Sequence, residues 1–171
     1  MTQELRLVAI SAGDSPTSKT RALVAPIVAE RGGQLIDLLD LPADGLLGRR
    51  EDEAVARAVH TAANAHMLVV ATPVYRATYT GALKAFFDRF QPRALARTAV
   101  VLVATAAVPE HFLALDTGAR ALIASLEGWS VPAVVYATGE DFVDGSPTHG
   151  VLDALRTAVG QAERAARTIM G

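Results

Sequence analysis

Residues 67–90 read MLVVATPVYRATYTGALKAFFDRF and fall into three parts. Met67-Leu68-Val69-Val70-Ala71 is an apolar run without alternation, the pattern of a central parallel strand buried on both faces. In Thr72-Pro73-Val74-Tyr75-Arg76, Pro73 lacks an N–H and fixes its own φ, so the strand is expected to break into a loop there. From Thr78 through Thr80 and Gly81 to Asp88 the spacing predicts a helix, with Leu83, Phe86, Phe87 and Phe90 at helical intervals. Strand, exposed loop, helix is the arrangement in which open α/β sheets bind ligands beyond the carboxyl ends of their strands.

The same alternation extends in both directions. Leu5 to Ile10 reads as a first strand, followed by a helix from Thr17 or Ser18 with Ala22, Leu23, Ala25, Ile27 and Val28 toward the core and Pro26 well inside it. Gln34 to Leu38 reads as a second strand, Asp40 to Arg50 as a loop, and Asp52 to Asn64 as a helix built on Val55 and Val59. Thr98 to Thr105 is an apolar strand, His111 opens a helix running through Ala119, Leu122, Ile123 and Leu126, and Ser130 to Ala137 is a fifth strand, with Trp129 expected to pack just before it. Thr138 to Thr148 is a polar surface loop, and His149 to Met170 a closing amphipathic helix. Five strands alternating with five helices predict a doubly wound α/β sheet. Right-handed crossovers favour a five-stranded parallel sheet in the order 2-1-3-4-5.

Composition narrows the class. A chain of 171 residues without a linker is expected to form one domain, 1–171. A net charge of −2 leaves no electrostatic footprint for nucleic acid. The lack of cysteine excludes disulfides and thiolate metal sites and accords with a cytoplasmic protein. No apolar run reaches about 18 residues, so no membrane span is expected. Met1 to Arg6 includes Glu4 and leads straight into a strand, unlike a signal peptide. His60 and His66 read as surface or capping residues, and without carboxylate or Cys at metal spacing they give no metal site.

Ser11-Ala-Gly-Asp-Ser-Pro-Thr-Ser-Lys-Thr20, between the first strand and its helix, is dominated by small and hydroxyl residues. Such a turn can hold a phosphate, because N–H groups at the helix N-terminus point at the anion and hydroxyls add donors. It is neither a Walker loop nor a GxGxxG fingerprint, and an ordinary capped turn, with Thr17 a candidate cap, has a similar composition.

Residues 72–88, TPVYRATYTGALKAFFD, resemble the T-P-x-Y/F-x-x-x-Y-S/T-G-x-x-K-x-x-x-D signature of the NADPH-dependent FMN reductases, and more closely that of the flavin reductases of two-component monooxygenase systems. Ser11 to Thr20, followed by Arg21-Ala-Leu23, resembles the FMN phosphate loop of one branch of that family, and residues 111–116, HFLALD, its H-x-L-A-x-D segment. The resemblance implies a flavodoxin-like three-layer sandwich and the cofactors FMN and NADPH (or NADH). It implies phosphate contacts from Ser11, Ser18, Lys19 and Thr20, a ring edge lined by Pro73, Val74, Tyr75, Arg76 and Thr78 with Thr80 a further donor or helix cap, and further contacts from Thr105, Ala106 and Ala107. It also implies that the helix carrying Phe86, Phe87 and Phe90 packs in a subunit interface, so a homodimer or homotetramer is expected.

The chain departs from the family pattern at three places. Asp14 puts a carboxylate beside the expected phosphate, which is repulsive unless it turns to solvent. Ala106-Ala107 replace two glycines; alanine still presents an N–H, but each Cβ restricts φ and takes space. Thr117-Gly118 stand where family members carry an aromatic or His. Hydride transfer from nicotinamide to flavin N5 needs no side-chain acid or base, which matches a chain with no catalytic constellation. Three readings stand at this level: an NAD(P)H-dependent FMN reductase supplying reduced flavin to a partner monooxygenase, a quinone or azo reductase holding FMN tightly, and a non-enzymatic flavin-binding electron carrier.

Overall fold

The computed structural model describes residues 4–171; residues 1–3, which belong to the expected domain and to the Met1–Arg6 segment, lie outside the described residues. Strands β1 (Leu7–Ser11), β2 (Gln34–Asp37), β3 (Met67–Pro73), β4 (Ala99–Thr105) and β5 (Trp129–Ala137) form one sheet in the order β2-β1-β3-β4-β5. Every pairing in it is parallel. The expected order therefore holds, and the fold is the flavodoxin-like sandwich. The helices are α1 (Lys19–Glu30), a single turn α2 (Ala43–Leu46), α3 (Glu53–Ala63), α4 (Gly81–Phe87), α5 (Arg120–Ser125) and α6 (His149–Met170). A two-residue antiparallel pair, β6 (Phe142–Val143) with β7 (Ser146–Pro147), closes the loop after β5. No described helix is long and apolar enough to cross a membrane.

Buried strand residues alternate between two cores. Leu7, Ala9, Met67, Val69, Val101 and Val103 pack with Leu23, Val24 and Ile27 of α1 and Leu155, Ala158 and Val159 of α6. Val8, Ile10, Leu68, Val70, Val100 and Leu102 pack on the opposite face with α3, α4 and α5. Period-2 strands between two apolar helix layers give a sheet with no wet face, which is why β3 and β4 show no polar alternation.

Several local expectations change. Strand β3 runs two residues past Ala71 and gives way to the loop after Pro73, which is paired in register with Thr105. The Val74 N–H donates to Thr105 O on the β4 side, so the Pro73 nitrogen faces the β1 side, where the last rung is the Ala12 N–H donating to Ala71 O. Proline has no N–H to add another, and the ladder with β1 stops there.

Phe86, Phe87 and Phe90 are buried inside the chain itself at 0%, 2% and 8% exposure. Their rings lie 5.1–5.9 Å apart in edge-on and tilted arrangements, so they fill the core between α4 and the sheet and form no outward apolar face. Trp129, expected to pack, is the first residue of edge strand β5 and is 61% exposed. His66 is neither a surface nor a capping residue. It is buried, and its Nδ1 accepts the Arg6 N–H at 3.0 Å. The segment from His111 is three pieces in place of one helix: a 3-10 turn Pro109–His111, a π-helical turn Leu115–Ala119 and then α5.

Candidate functional site

The carboxyl ends of β1, β3 and β4 bring three connections to one edge of the sheet: residues 12–18, 74–80 and 106–108. The first wraps the N-terminus of α1. Ser18, not Thr17, is the N-cap, with its hydroxyl accepting the Thr20 N–H at 3.2 Å. A Cβ built on Gly13 would lie 2.0 Å from Ser18 Oγ and 3.8 Å from Ser11 Oγ, so both hydroxyls converge on a spot only a glycine leaves free. Ser11 Oγ is buried and has no hydrogen-bond partner. Among the described residues, the N–H groups of Gly13, Asp14, Ser15 and Thr17 donate to no protein acceptor. A buried orphan hydroxyl beside a row of unused N–H groups at a helix N-terminus is suited to an anion.

The other two hydroxyl and ammonium groups expected at this loop are engaged elsewhere. Thr20 and Thr105 are both buried, and their hydroxyls lie 2.7 Å apart, tying α1 to the end of β4. Lys19 projects over the Phe142 ring, 5.2 Å from its centroid, toward the loop after β5.

The second connection is a tight hairpin. Tyr75 and Thr78 exchange both backbone hydrogen bonds, at 3.0 and 3.2 Å, across a two-residue turn. Arg76 and Ala77 form that turn with φ of 52° and 62°. Left-handed backbone at both central positions matches the right-handed twist of a hairpin, but neither residue is a glycine, so the turn carries strain. Tyr75 is half exposed, Arg76, Ala77 and Thr78 are exposed, and Val74 is buried in the core. Thr80 caps α4 by accepting the Leu83 N–H, and its own N–H donates to Thr72 Oγ1 at 3.1 Å.

Two side-chain bonds join the first two connections: the Thr80 hydroxyl donates to Ala12 O at 3.5 Å, and, with no hint from the sequence, the Tyr75 hydroxyl donates to Asp14 Oδ2 at 2.9 Å. That hydrogen bond, then burial, push the Tyr75 phenol above its ordinary pKa, so it remains a donor at neutral pH. The partners are 61 residues apart in the chain, and neither carries a local signal for the other. Thr72 was also missed; its hydroxyl, accepting from Thr80 N–H and donating to Pro73 O, fixes the hairpin to the strand end.

The third connection is pinned to β5. The Ala106 N–H donates to Ala137 O at 2.9 Å, so it is part of the sheet and is not presented to the site as expected. The Tyr136 hydroxyl donates to Val108 O at 2.7 Å. Ala107 is exposed at the edge. His111 is half-buried, and Asp116 is paired with Arg120 at 2.8 Å. Of the twelve expected site residues, the structure therefore places Ser11, Ser18, Tyr75, Arg76, Thr78 and Ala107 facing or flanking the edge. Thr20, Thr105, Pro73 and Val74 form its floor. Lys19 and Ala106 are turned to neighbouring elements.

Two depressions lie elsewhere on the molecule. A groove of about 1110 Å³ runs beside α3, lined by Arg49, Arg50, Asp52, His60 and Arg89. A cleft of about 620 Å³ lies at the amino ends of β1 and β2, near Arg6 and Gly32. Neither adjoins the loops at the carboxyl edge.

Comparison with known proteins is consistent with this geometry. Residues 5–142 match the model of the family described as NADPH-dependent FMN reductase. The chain is 38% identical to a protein of Pseudomonas fluorescens named NADH-dependent FMN reductase SfnF, over 97% of this chain and 92% of that one. It is 36% identical to a Pseudomonas aeruginosa protein named FMN reductase (NADPH), over 83% of this chain and 81% of that one. Among solved structures, the apo form of an NADH:FMN oxidoreductase, EMOB, superposes with a TM-score of 0.81 at 33% identity, covering 96% of this chain and 89% of that one.

Proposed function

Because this chain belongs to the NADPH-dependent FMN reductase family, we propose that it reduces FMN with NAD(P)H and hands the reduced flavin to a partner monooxygenase. The observation that carries this reading is the buried, partnerless Ser11 hydroxyl at the Gly13–Ser18 turn. A phosphate monoester placed there would receive the Ser11 hydroxyl and the unused N–H groups of Gly13, Asp14, Ser15 and Thr17, so the loop fits the phosphate end of FMN. Ser18 remains able to donate, since its hydroxyl accepts from the Thr20 N–H and its own proton is unused.

Tyr75, Arg76 and Thr78 on the hairpin, with Ala107 opposite, would border the flat ring, while Pro73, Val74, Thr105 and the Thr20–Thr105 pair form the surface beneath it. Bound FMN supplies the acceptor for a hydride from the reduced nicotinamide. The protein's contribution is to hold the two rings in contact and exclude water; no side chain is assigned as acid or base.

We place this activity in a single domain, residues 1–171, in the cytoplasm, and in a homodimer or homotetramer. Support for association no longer comes from the buried phenylalanines. It comes from Val108, Phe112 and Leu113, which leave 41%, 53% and 51% of their surface exposed along one segment next to the site.

The test is anaerobic oxidation of NADPH, and separately NADH, by the purified protein with and without added FMN. Turnover that requires free FMN and saturates with it supports a reductase for which flavin is a substrate. A protein isolated yellow, oxidising NADPH only when a quinone is added, replaces this reading with a quinone reductase. Absence of FMN binding overturns both.

A further inference from the structure

We propose that Asp14, tethered across the site by the Tyr75 hydroxyl, determines how weakly the protein retains a phosphorylated flavin; this rests on the flavin reading above. Asp14 sits between Gly13 and Ser15, inside the run of unused N–H groups that would meet the phosphate. It forms no ion pair among the described residues, and its one side-chain partner is the neutral phenol of Tyr75. Lys19, the nearest cation in the sequence, projects over Phe142 and makes no ion pair with the carboxylate. Asp14 is exposed, but the 2.9 Å hydrogen bond holds it against the opposite loop instead of letting it swing into solvent. A dianionic phosphate in this loop is therefore bound by dipoles and opposed by a fixed like charge. The opposition acts on FMN and not on riboflavin, which has the same ring and no phosphate. The consequence is a site that recognises the phosphate yet lets FMN exchange, as a reductase must when flavin is its substrate.

The experiment is titration of FMN and of riboflavin, followed by flavin fluorescence, with the wild-type protein, Asp14→Asn and Tyr75→Phe. The readout is the ratio of riboflavin Kd to FMN Kd, which cancels any change in ring contact. Asp14→Asn keeps the acceptor and removes the charge, and it is expected to raise the ratio by roughly three- to tenfold through tighter FMN, the size of one charge–charge interaction near a surface. Tyr75→Phe is expected to raise it less, because the released carboxylate still carries its charge. Both increases shrink at high ionic strength. An unchanged ratio in Asp14→Asn, with FMN still bound by the wild type, overturns this inference and leaves the flavin reading standing. A change insensitive to salt overturns the electrostatic account. Failure of the wild type to bind either flavin overturns the flavin reading and the inference with it.

Discussion

The hydroxyls of Thr20 and Thr105 lie 2.7 Å apart, with 1% and 7% of each residue exposed. They join the first turn of α1 to the last residue of β4 across 85 residues of sequence, beneath the loops that would hold the flavin. Removing one partner leaves the other hydroxyl buried without a bond. Thr20→Val or Thr105→Val is therefore expected to lower stability by about 1–3 kcal/mol, and the double replacement by less than the sum of the two. Urea unfolding of the three variants measures the coupling directly.

Gly13→Ala tests the loop itself. The new Cβ would stand 2.0 Å from Ser18 Oγ and 2.6 Å from Ser18 Cβ, so Ser18 must move and its bond to the Thr20 N–H goes with it. The lost cap costs about 0.5–2 kcal/mol. FMN affinity is expected to fall by at least about tenfold, equivalent to 1.4 kcal/mol. A fluorescence titration showing wild-type affinity would mean the phosphate binds elsewhere.

The hairpin should be improvable. Ala77 holds φ at 62°, which costs an L-residue about 1 kcal/mol and a glycine almost nothing. Ala77→Gly is expected to raise the urea midpoint without changing the m-value. A lower midpoint would show that the turn is not strained in the folded chain.

His66 gives stability a pH dependence of definite sign. Burial, and then the charges of Arg6 and Arg97, push its pKa below the ordinary 6.5, and its Nδ1 must stay unprotonated to accept the Arg6 N–H. Above pH 6.5 the ring is neutral in both folded and unfolded chains and its contribution is complete. As pH falls below 6.5 the unfolded chain takes up the proton first, so stability declines until the folded-state pKa is passed. Equilibrium unfolding between pH 5 and pH 8 should show this slope, and His66→Asn should flatten it. Glu30 and Glu163, held below the usual carboxylate range chiefly by hydrogen bonds from Arg156 and Arg167, act in a separate window below pH 4.5.

The sheet was legible because its evidence is local. β3 and β4 are unbroken apolar runs, and each is followed by a turn and a helix. Pro73 marks the strand end to within two residues, because its missing N–H allows no further rung on the β1 side. Phe86, Phe87 and Phe90 have a spacing that fits an internal core and a subunit interface equally well; only the packing of α4 on the sheet separates them. Hydroxyls at the first loop mark it as a candidate cradle, but their separate roles are not in the pattern. Ser18 caps, Thr20 reaches across to Thr105, and the buried Ser11 hydroxyl is left without a partner. Asp14 looked like a misfit until Tyr75 was placed beside it. The π-helical turn at Leu115–Ala119 was invisible, since its residues suit an α-helix as well.

The third connection, sewn to β5 by the Ala106 N–H and the Tyr136 hydroxyl, has a mechanical consequence. One jaw of the site is part of the sheet, while the other is a two-residue hairpin anchored at its base by Thr72 and Thr80 and held at its tip by the phenol–carboxylate bond. Such a mouth yields on one side only. Traffic through it is expected to lift the Tyr75 hairpin and leave the β4 rim still, so exchange of a flat molecule is governed by a hinge that never disturbs the sheet.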